Sequence, residues 1–462
     1  MRGVAERVLY LSEDGILKPS RKPKAGVFSR LDGLKSRLVE QLVPTTVVPR
    51  DEYPFLYTGR KQAVYQRAYE TLTVRRIRQS DAYVSTFVKA EKVNFSAKGD
   101  PAPRVIQPRS PRYNLEVGRY LKCFEKELCK GFKRLFGYLV VLKGCNADGV
   151  AAAMHDNWCS FDDPVAVGLD ASRFDQHVSV EALEFEHSVY NSVFRSKELR
   201  RLLGWQLKNR GFGRVGDALL KYEVDGCRMS GDINTGMGNC LIMSCLVLNY
   251  FEEVGLNARL SNNGDDCVVF LDRSDLGKLA GIGNYFSDFG FKLVEEPVVD
   301  VFERVVFCQA QPVLVGDRYR MVRDPWTAMS KDCVSLLSWN TLEDFNIWRD
   351  AVGTCGRILT TGVPVWEAFY SRLNTGGGRE GKGGLVFDSG FGRMGRGISG
   401  GVITPEGRAS FWRAFGITPD LQVAMEQNVP DIEYNGLPPL NFAEFEHSYN
   451  PLRWLNAIKT NN

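Results

Sequence analysis

Two short apolar runs end in aspartate almost a hundred residues apart, and they constrain this chain more than any other feature. VAVGLD, residues 165–170, has the length and β-branched content of a buried strand and closes on Asp170. ARLSNNGDDCVVFL reads as two short strands around an Asn-Asn-Gly turn, with Asp265 and Asp266 in that turn. If these strands are neighbours, their carboxylates converge at one sheet end. Taken singly, each is weak: an Asp at a strand end is usually a turn residue or a helix cap.

The surroundings are those of a large mixed α/β chain. Its 462 residues exceed what one hydrophobic core usually supports, so two or three subdomains are expected. With 44% hydrophobic and 25% charged residues, the composition is that of an ordinary globular protein and does not suggest disorder. A helical pattern runs from about Val178 to Phe194 and another from about Gly236 to Glu253. A further helix is expected over Glu116 to Phe136, residues near 60–90 look helical, and residues 302–323 alternate as strands do. Asp225-Gly226 between β-compatible flanks signals a hairpin. The first 50 or so residues, basic and punctuated by proline, read as an extended arm. Residues 375–401, nearly half glycine, read as a flexible loop.

Charge is unevenly spread. Residues 1–134 carry 28 Lys+Arg against 14 Asp+Glu, whereas the remainder is net acidic. One part is thus suited to gripping a polyanion and another to assembling carboxylates, although a solvated basic surface would give the same count. The 11 cysteines are scattered without a CxxC pair and several lie in apolar runs, which suits free thiols in a reducing compartment. His155 and Cys159 resemble half a zinc site, but no second half follows and a structural role is favoured. No signal peptide and no apolar stretch near the ~20 residues of a bilayer span is present; Cys240 to Phe251 is too short and reads as a buried helix.

The order and spacing of four segments resemble the palm and fingers motifs of RNA-dependent RNA polymerases from positive-strand RNA viruses, in particular the tombusvirus-like group with the carmoviruses, umbraviruses and luteoviruses. DASRFDQHVS from Asp170 is similar to the first palm motif, SGDINTGMGN from Ser230 to the second, and GDD at 264–266 to the third. KGDPAPRVIQPRSPRYN from Lys98, the fourth, is similar to the basic fingers motif; beyond these four, VFCQAQPV around Cys308 resembles the fifth palm motif. The resemblance covers about residues 85–310.

What the resemblance implies is an α+β right-hand fold of fingers, palm and thumb, with an antiparallel palm sheet and an encircled active site. Fingers would occupy 1–164 and an insertion at 195–229, the palm 165–194 and 230–310, the thumb and carboxy-terminal region 311–462. Asp170 and Asp265, with Asp266 as auxiliary, would hold Mg2+ (or Mn2+), a pair of such ions being what nucleotide joining requires. Asp175 and Asn239 would read the ribose 2′-hydroxyl, the group that separates RNA from DNA. Thr235 lies four residues before Asn239 on the same helical face, and Ser230 and Gly231 would form a flexible loop at the nucleotide. Lys89, Lys98 and Arg104 would meet the triphosphate, while Lys92, Arg109 and Arg112 would meet template phosphate or solvent. Lys292 stands where the fourth palm motif places a general acid, although a surface lysine fits as well. Asp232 has no role legible in the sequence.

The resemblance further implies template and nascent RNA and NTPs as substrates, primer-independent initiation, a viral accessory protein with a membrane anchor, and replication complexes on host cytoplasmic membranes. Two rivals remain at this point: a reverse transcriptase-like polymerase, and a non-enzymatic viral RNA-binding protein using the basic third. Asn263-Gly264 before the aspartates argues against the first, and the aspartate constellation is unexplained by the second. The glycine patterns GGGREGKG (376–383), GFGRVG (211–216) and GFGRMG (390–395) lack the strand-to-helix setting of nucleotide loops. His177 and His187 have no nucleophile partner and are assigned to core or surface.

Overall fold

A computed structural model of the chain describes residues 1–13, 16–93, 99–335, 341–374, 395, 397–398 and 400–429. Thirteen strands occur among them, numbered in chain order: β1 (Tyr10–Glu13), β2 (Ile16–Pro19), β3 (Val84–Ser85), β4 (Phe87–Val88), β5 (Val105–Ile106), β6 (Pro164–Ala171), β7 (Lys208–Val215), β8 (Ala218–Asp225), β9 (Ala258–Asn263), β10 (Asp266–Asp272), β11 (Leu293–Glu295), β12 (Ala310–Val315) and β13 (Arg318–Arg323). The sheet that positions the site is four-stranded, in the order β11-β6-β10-β9, with every neighbouring pair antiparallel.

Its two faces are buried differently, as the period of two dictates. Val165, Val167, Leu169 and Ala171 of β6, with Cys267, Val269 and Leu271 of β10, join the largest core. That core is filled by the helices Pro111–Phe136, Val180–Phe194 and Thr235–Val254. The last is apolar almost all round, Met237 to Phe251 being buried without a break, which is why it reads as a core helix. On the other face, Ala166, Val268 and Phe270 pack with Leu142, Met154, Phe302, Val305 and Phe307 in a smaller cluster. That cluster ends before Asp170 and Asp266, which are exposed at the same end of this face.

Several local expectations need correction. The amino-terminal region is more than an arm: residues 2–9 are helical, β1 and β2 pair, and the helix Asp32–Glu40 docks Leu34 and Leu38 into the main core beside Leu31 and Leu42. Leucines three or four residues apart along one face override the basic residues between them. Asp225-Gly226 ends β8 instead of turning a hairpin; the turn falls at Gly216-Asp217, where Gly216 has φ +57°. The helix expected from Glu116 begins at Pro111, because the Ser110 hydroxyl caps the Arg112 N–H and proline suits the first turn.

The glycine-rich residues 375–401, with GGGREGKG and GFGRMG, lie almost entirely outside the described residues. GFGRVG supplies the last five residues of β7, the central strand of the sheet β3-β7-β8, and ends on Gly216 in the turn to β8, so it is not a phosphate loop. None of the 11 cysteines forms a disulfide. His155 lies against Phe302 and Tyr319, with its Nε2 3.5 Å from Cys159 Sγ. His177 and His187 are buried. Among the described residues, no helix is long and apolar enough to cross a membrane.

Candidate active site

The site begins with strand register. Asp170 is the Cα partner of Asp266 across β6 and β10, and of Val294 across β6 and β11. Cross-strand partners share a face, so the Asp170 and Asp266 side chains rise from the same face at the same sheet end. Asp265 occupies the tight turn beside them. Gly264 has φ +92°, a conformation that glycine adopts without cost. Buried Asn262 staples that turn: its Oδ1 accepts from the Gly264 N–H at 3.3 Å, and its Nδ2 donates to the Gly264 carbonyl at 2.8 Å.

The electrostatics show like charges gathered. Burial raises the Asp266 pKa, Asp265 and Asp170 push it further, and the Cys308 thiol opposes them. Glu296 follows the same pattern, raised by burial and then by Asp170 and Asp266. Its main chain pairs with Gly168 of β6 at 2.9 Å, and its carboxyl lies where a Gly168 side chain would stand. A divalent cation would relieve this crowding, so the donor set fits one. Among the described residues, no group of three or more His, Cys, Asp or Glu side chains is arranged to hold a metal ion by itself. What the sheet end offers is an open set of hard oxygens, and Mg2+ is ordinarily held by one or two carboxylates completed by substrate phosphates.

Next to the carboxylates, Asn239 Nδ2 donates to Asp175 Oδ1 at 2.7 Å. These two residues are 64 apart in sequence and meet because the amino-terminal part of the helix Thr235–Val254 passes the short helix Phe174–His177 that follows β6. Burial raises the Asp175 pKa; Asn239 and Arg228 oppose that shift, and Asp265 adds to it. Thr235 directs its hydroxyl to the Met229 carbonyl at 2.8 Å, which fixes the entry to the helix.

The loop before this helix differs from expectation. Ser230 and Gly231 are held against the fingers segment: the Gln107 N–H donates to Ser230 Oγ at 3.1 Å, and Gly231 bridges Pro108. A Cβ on Gly231 would stand 2.6 Å from the Gln107 carbonyl oxygen, so only glycine permits this approach. The loop is docked, not free. Asp232 lies behind it, buried, and forms an ion pair with Arg109. Arg109 also donates to Asn209 Oδ1 at 2.6 Å and to the Ala82 carbonyl at 2.5 Å. The assignment of Arg109 to template phosphate or solvent is therefore overturned. Arg112 is likewise buried, donating to Asp81, Thr71 and the carbonyls of Arg75 and Arg76. Charge counts alone could not reveal the distant carboxylates that claim these guanidiniums.

Lys89 and Arg104 remain accessible. β4 and β5 pair antiparallel, the Lys89 N–H donates to the Arg104 carbonyl at 2.9 Å, and both side chains approach Glu91, at 3.4 Å and 3.7 Å. Lys98 lies outside the described residues. Lys92 is exposed and donates to the Lys331 carbonyl. Lys292 is exposed, and its carbonyl accepts from the Ser172 N–H at 2.9 Å. Alternation from Val294 puts Lys292 on the same sheet face as Asp170.

Sequence reasoning missed the polar core beneath the site: Glu186, Arg228, Asn234, Gln206 and Asn209, all buried. Glu186 accepts from Tyr190 at 2.9 Å and from Asn234 at 2.7 Å, and pairs with Arg228. The only available signal was Glu186 on an otherwise apolar helix face, four residues before Tyr190.

Comparison with known proteins places this arrangement in a class. Residues 1–435 match the family described as viral RNA dependent RNA polymerase, and the chain belongs to that family. The family implies the right-hand polymerase fold, with which the mixed helix and sheet architecture agrees. Relatives named RNA-directed RNA polymerase include that of Turnip crinkle virus, 43% identical over 441 residues, covering 94% of this chain and 57% of the relative. That of Tobacco necrosis virus (strain D) is 44% identical over 452 residues, covering 95% and 61%. That of Tomato bushy stunt virus (strain Cherry) is 43% identical over 433 residues, covering 93% and 53%. The chain thus spans little more than half the length of these relatives.

Proposed function

We propose that this chain is the catalytic part of a viral RNA-dependent RNA polymerase, extending RNA on an RNA template from NTPs. The observation that carries the reading is the β6–β10 register, which sets Asp170 opposite Asp266 and beside the Asp265 turn. In this reading Asp170 and Asp265 hold Mg2+, with Mn2+ as substitute and Asp266 as auxiliary ligand. The ions, when bound, activate the attacking 3′ oxygen and stabilise the leaving pyrophosphate.

The chain's own groups do the rest. Asp175 and Asn239 accept and donate to the ribose 2′-hydroxyl, selecting ribonucleotides. Lys89 and Arg104, with Lys98, set positive charge against the triphosphate. Lys292 stands at the edge of the carboxylate face as proton donor to pyrophosphate. Ser230, Gly231 and Thr235 shape the nucleotide's pocket from the docked loop.

The division into fingers (1–164 and 195–229), palm (165–194 and 230–310) and thumb (311–462) is part of the proposal, as are the palm identity of the four-stranded sheet and an encircled site. So are primer-independent initiation, an accessory viral protein with a membrane anchor, and location in membrane-associated complexes of the host cytoplasm. Support for these comes from the family alone.

Incorporation of NTPs and dNTPs on RNA and DNA templates tests the reading. NTP addition on RNA is expected; a preference for dNTPs would instead favour a reverse transcriptase, and binding of RNA without synthesis would favour a non-enzymatic role.

A further inference from the structure

We infer that Arg228 is a positioning residue for ribose selection, a role resting on the polymerase reading above. Arg228 is fully buried and touches both members of the Asp175–Asn239 pair. Its main-chain N–H donates to the Asp175 carbonyl at 2.8 Å, and its side-chain Nε donates to Asn239 Oδ1 at 3.2 Å. An amide presenting Oδ1 to a guanidinium must present Nδ2 the other way, and there it meets Asp175 Oδ1. Arg228 therefore decides which end of Asn239 faces the carboxylate. Without it the amide could flip, placing an oxygen against an oxygen.

The guanidinium is itself held. Glu186 pairs with it through Nη2, and Glu186 is fixed by Tyr190 and Asn234. Asn234 in turn accepts from Gln206 Nε2 at 3.0 Å, and Gln206 Oε1 lies 3.2 Å from His187 Nε2. Gly238 leaves room for the pair: a Cβ there would stand 2.6 Å from Arg228 Nη2 and 2.6 Å from Glu186 Cδ. Such a buried pair is costly to desolvate and weak evidence of stability, so a role in fixing geometry is the better explanation for it. Its charge also opposes the burial that raises the Asp175 pKa. Asp175 and Asn239 would touch the nucleotide; Arg228 acts only through them.

The test is single-nucleotide addition with a matched NTP and its 2′-deoxy counterpart. It compares wild type, Arg228→Lys, Arg228→Met/Glu186→Gln and Asn239→Ala, with melting temperature recorded for each. The double variant leaves no buried charge unpaired. Lysine can still answer Glu186 but has no Nε to hold the amide. Both Arg228 variants should lose about tenfold of the NTP preference, the weight of one charge-assisted hydrogen bond. The loss should enter through the KM for NTP, with the dNTP constants nearly unchanged. If the double variant melts below the assay temperature, Arg228→Lys alone decides. A wild type without ribonucleotide preference would refute the polymerase reading. A selective wild type in which Asn239→Ala loses selectivity while Arg228→Lys retains it would refute only the role of Arg228.

Discussion

Asp232, silent in the sequence, offers the sharpest test of the packing argument. Its side chain is 2% exposed and that of its partner Arg109 is 1% exposed. Replacing Asp232 with alanine leaves a guanidinium in the interior with only neutral acceptors, Asn209 and the Ala82 carbonyl. Breaking a buried pair in this way costs about 3–5 kcal/mol. The two surviving hydrogen bonds put the expectation at the lower end, about 3 kcal/mol, since such bonds contribute ~1 kcal/mol each. Removing both charges in Arg109→Met/Asp232→Leu should cost less than the single change, because no unpaired charge remains. A chain of this size need not unfold in one step, so denaturant titration should be joined by hydrogen exchange across residues 229–235. An Asp232→Ala loss below about 0.5 kcal/mol, the range of surface substitutions, would show that the pair is solvated and the reasoning wrong. So would a double variant as damaged as the single one.

Two further outcomes follow from the same geometry. Gly231→Ala should push the loop off Gln107 and Pro108, since main-chain atoms cannot yield. A cost of about 1–3 kcal/mol with a raised KM for NTP is expected, and unchanged stability and kinetics would contradict the docked loop. Burial lowers the His187 pKa, so the folded state keeps it neutral while the unfolded chain protonates it. Its stabilising contribution is complete above the ordinary histidine value and is lost as pH falls from there toward the depressed folded value. His187→Gln should therefore flatten the stability decline below about pH 6.5, by up to ~1.4 kcal/mol per pH unit. An equal slope in both proteins would argue against a buried neutral imidazole.

How far the sequence carried the account depends on the range of the forces involved. β6, β9, β10 and the helix Thr235–Val254 were legible within a residue or two, because apolar runs, alternation and Gly264 are local signals. The helix Asp32–Glu40 was obscured by lysines and arginines that share its surface with core leucines. Arg109 and Arg112 were misjudged because Asp232 lies 123 residues from the first and Asp81 lies 31 from the second. Arg228 was invisible for the same reason: its meaning resides in Glu186 and Asn239, which only the fold brings to it. The candidate carboxylates were found by family pattern, whereas the polar core that supports them required coordinates.

The central claim is that the carboxylates at the β6–β10 end bind the ions on which nucleotide joining depends. Labelled NTP incorporation on a short RNA with Mg2+, comparing wild type with Asp265→Asn, tests it most directly. The account predicts a fall of about a hundredfold or more, since metal stabilisation is worth several kcal/mol, with both proteins equally folded. Equal incorporation by the two would contradict it.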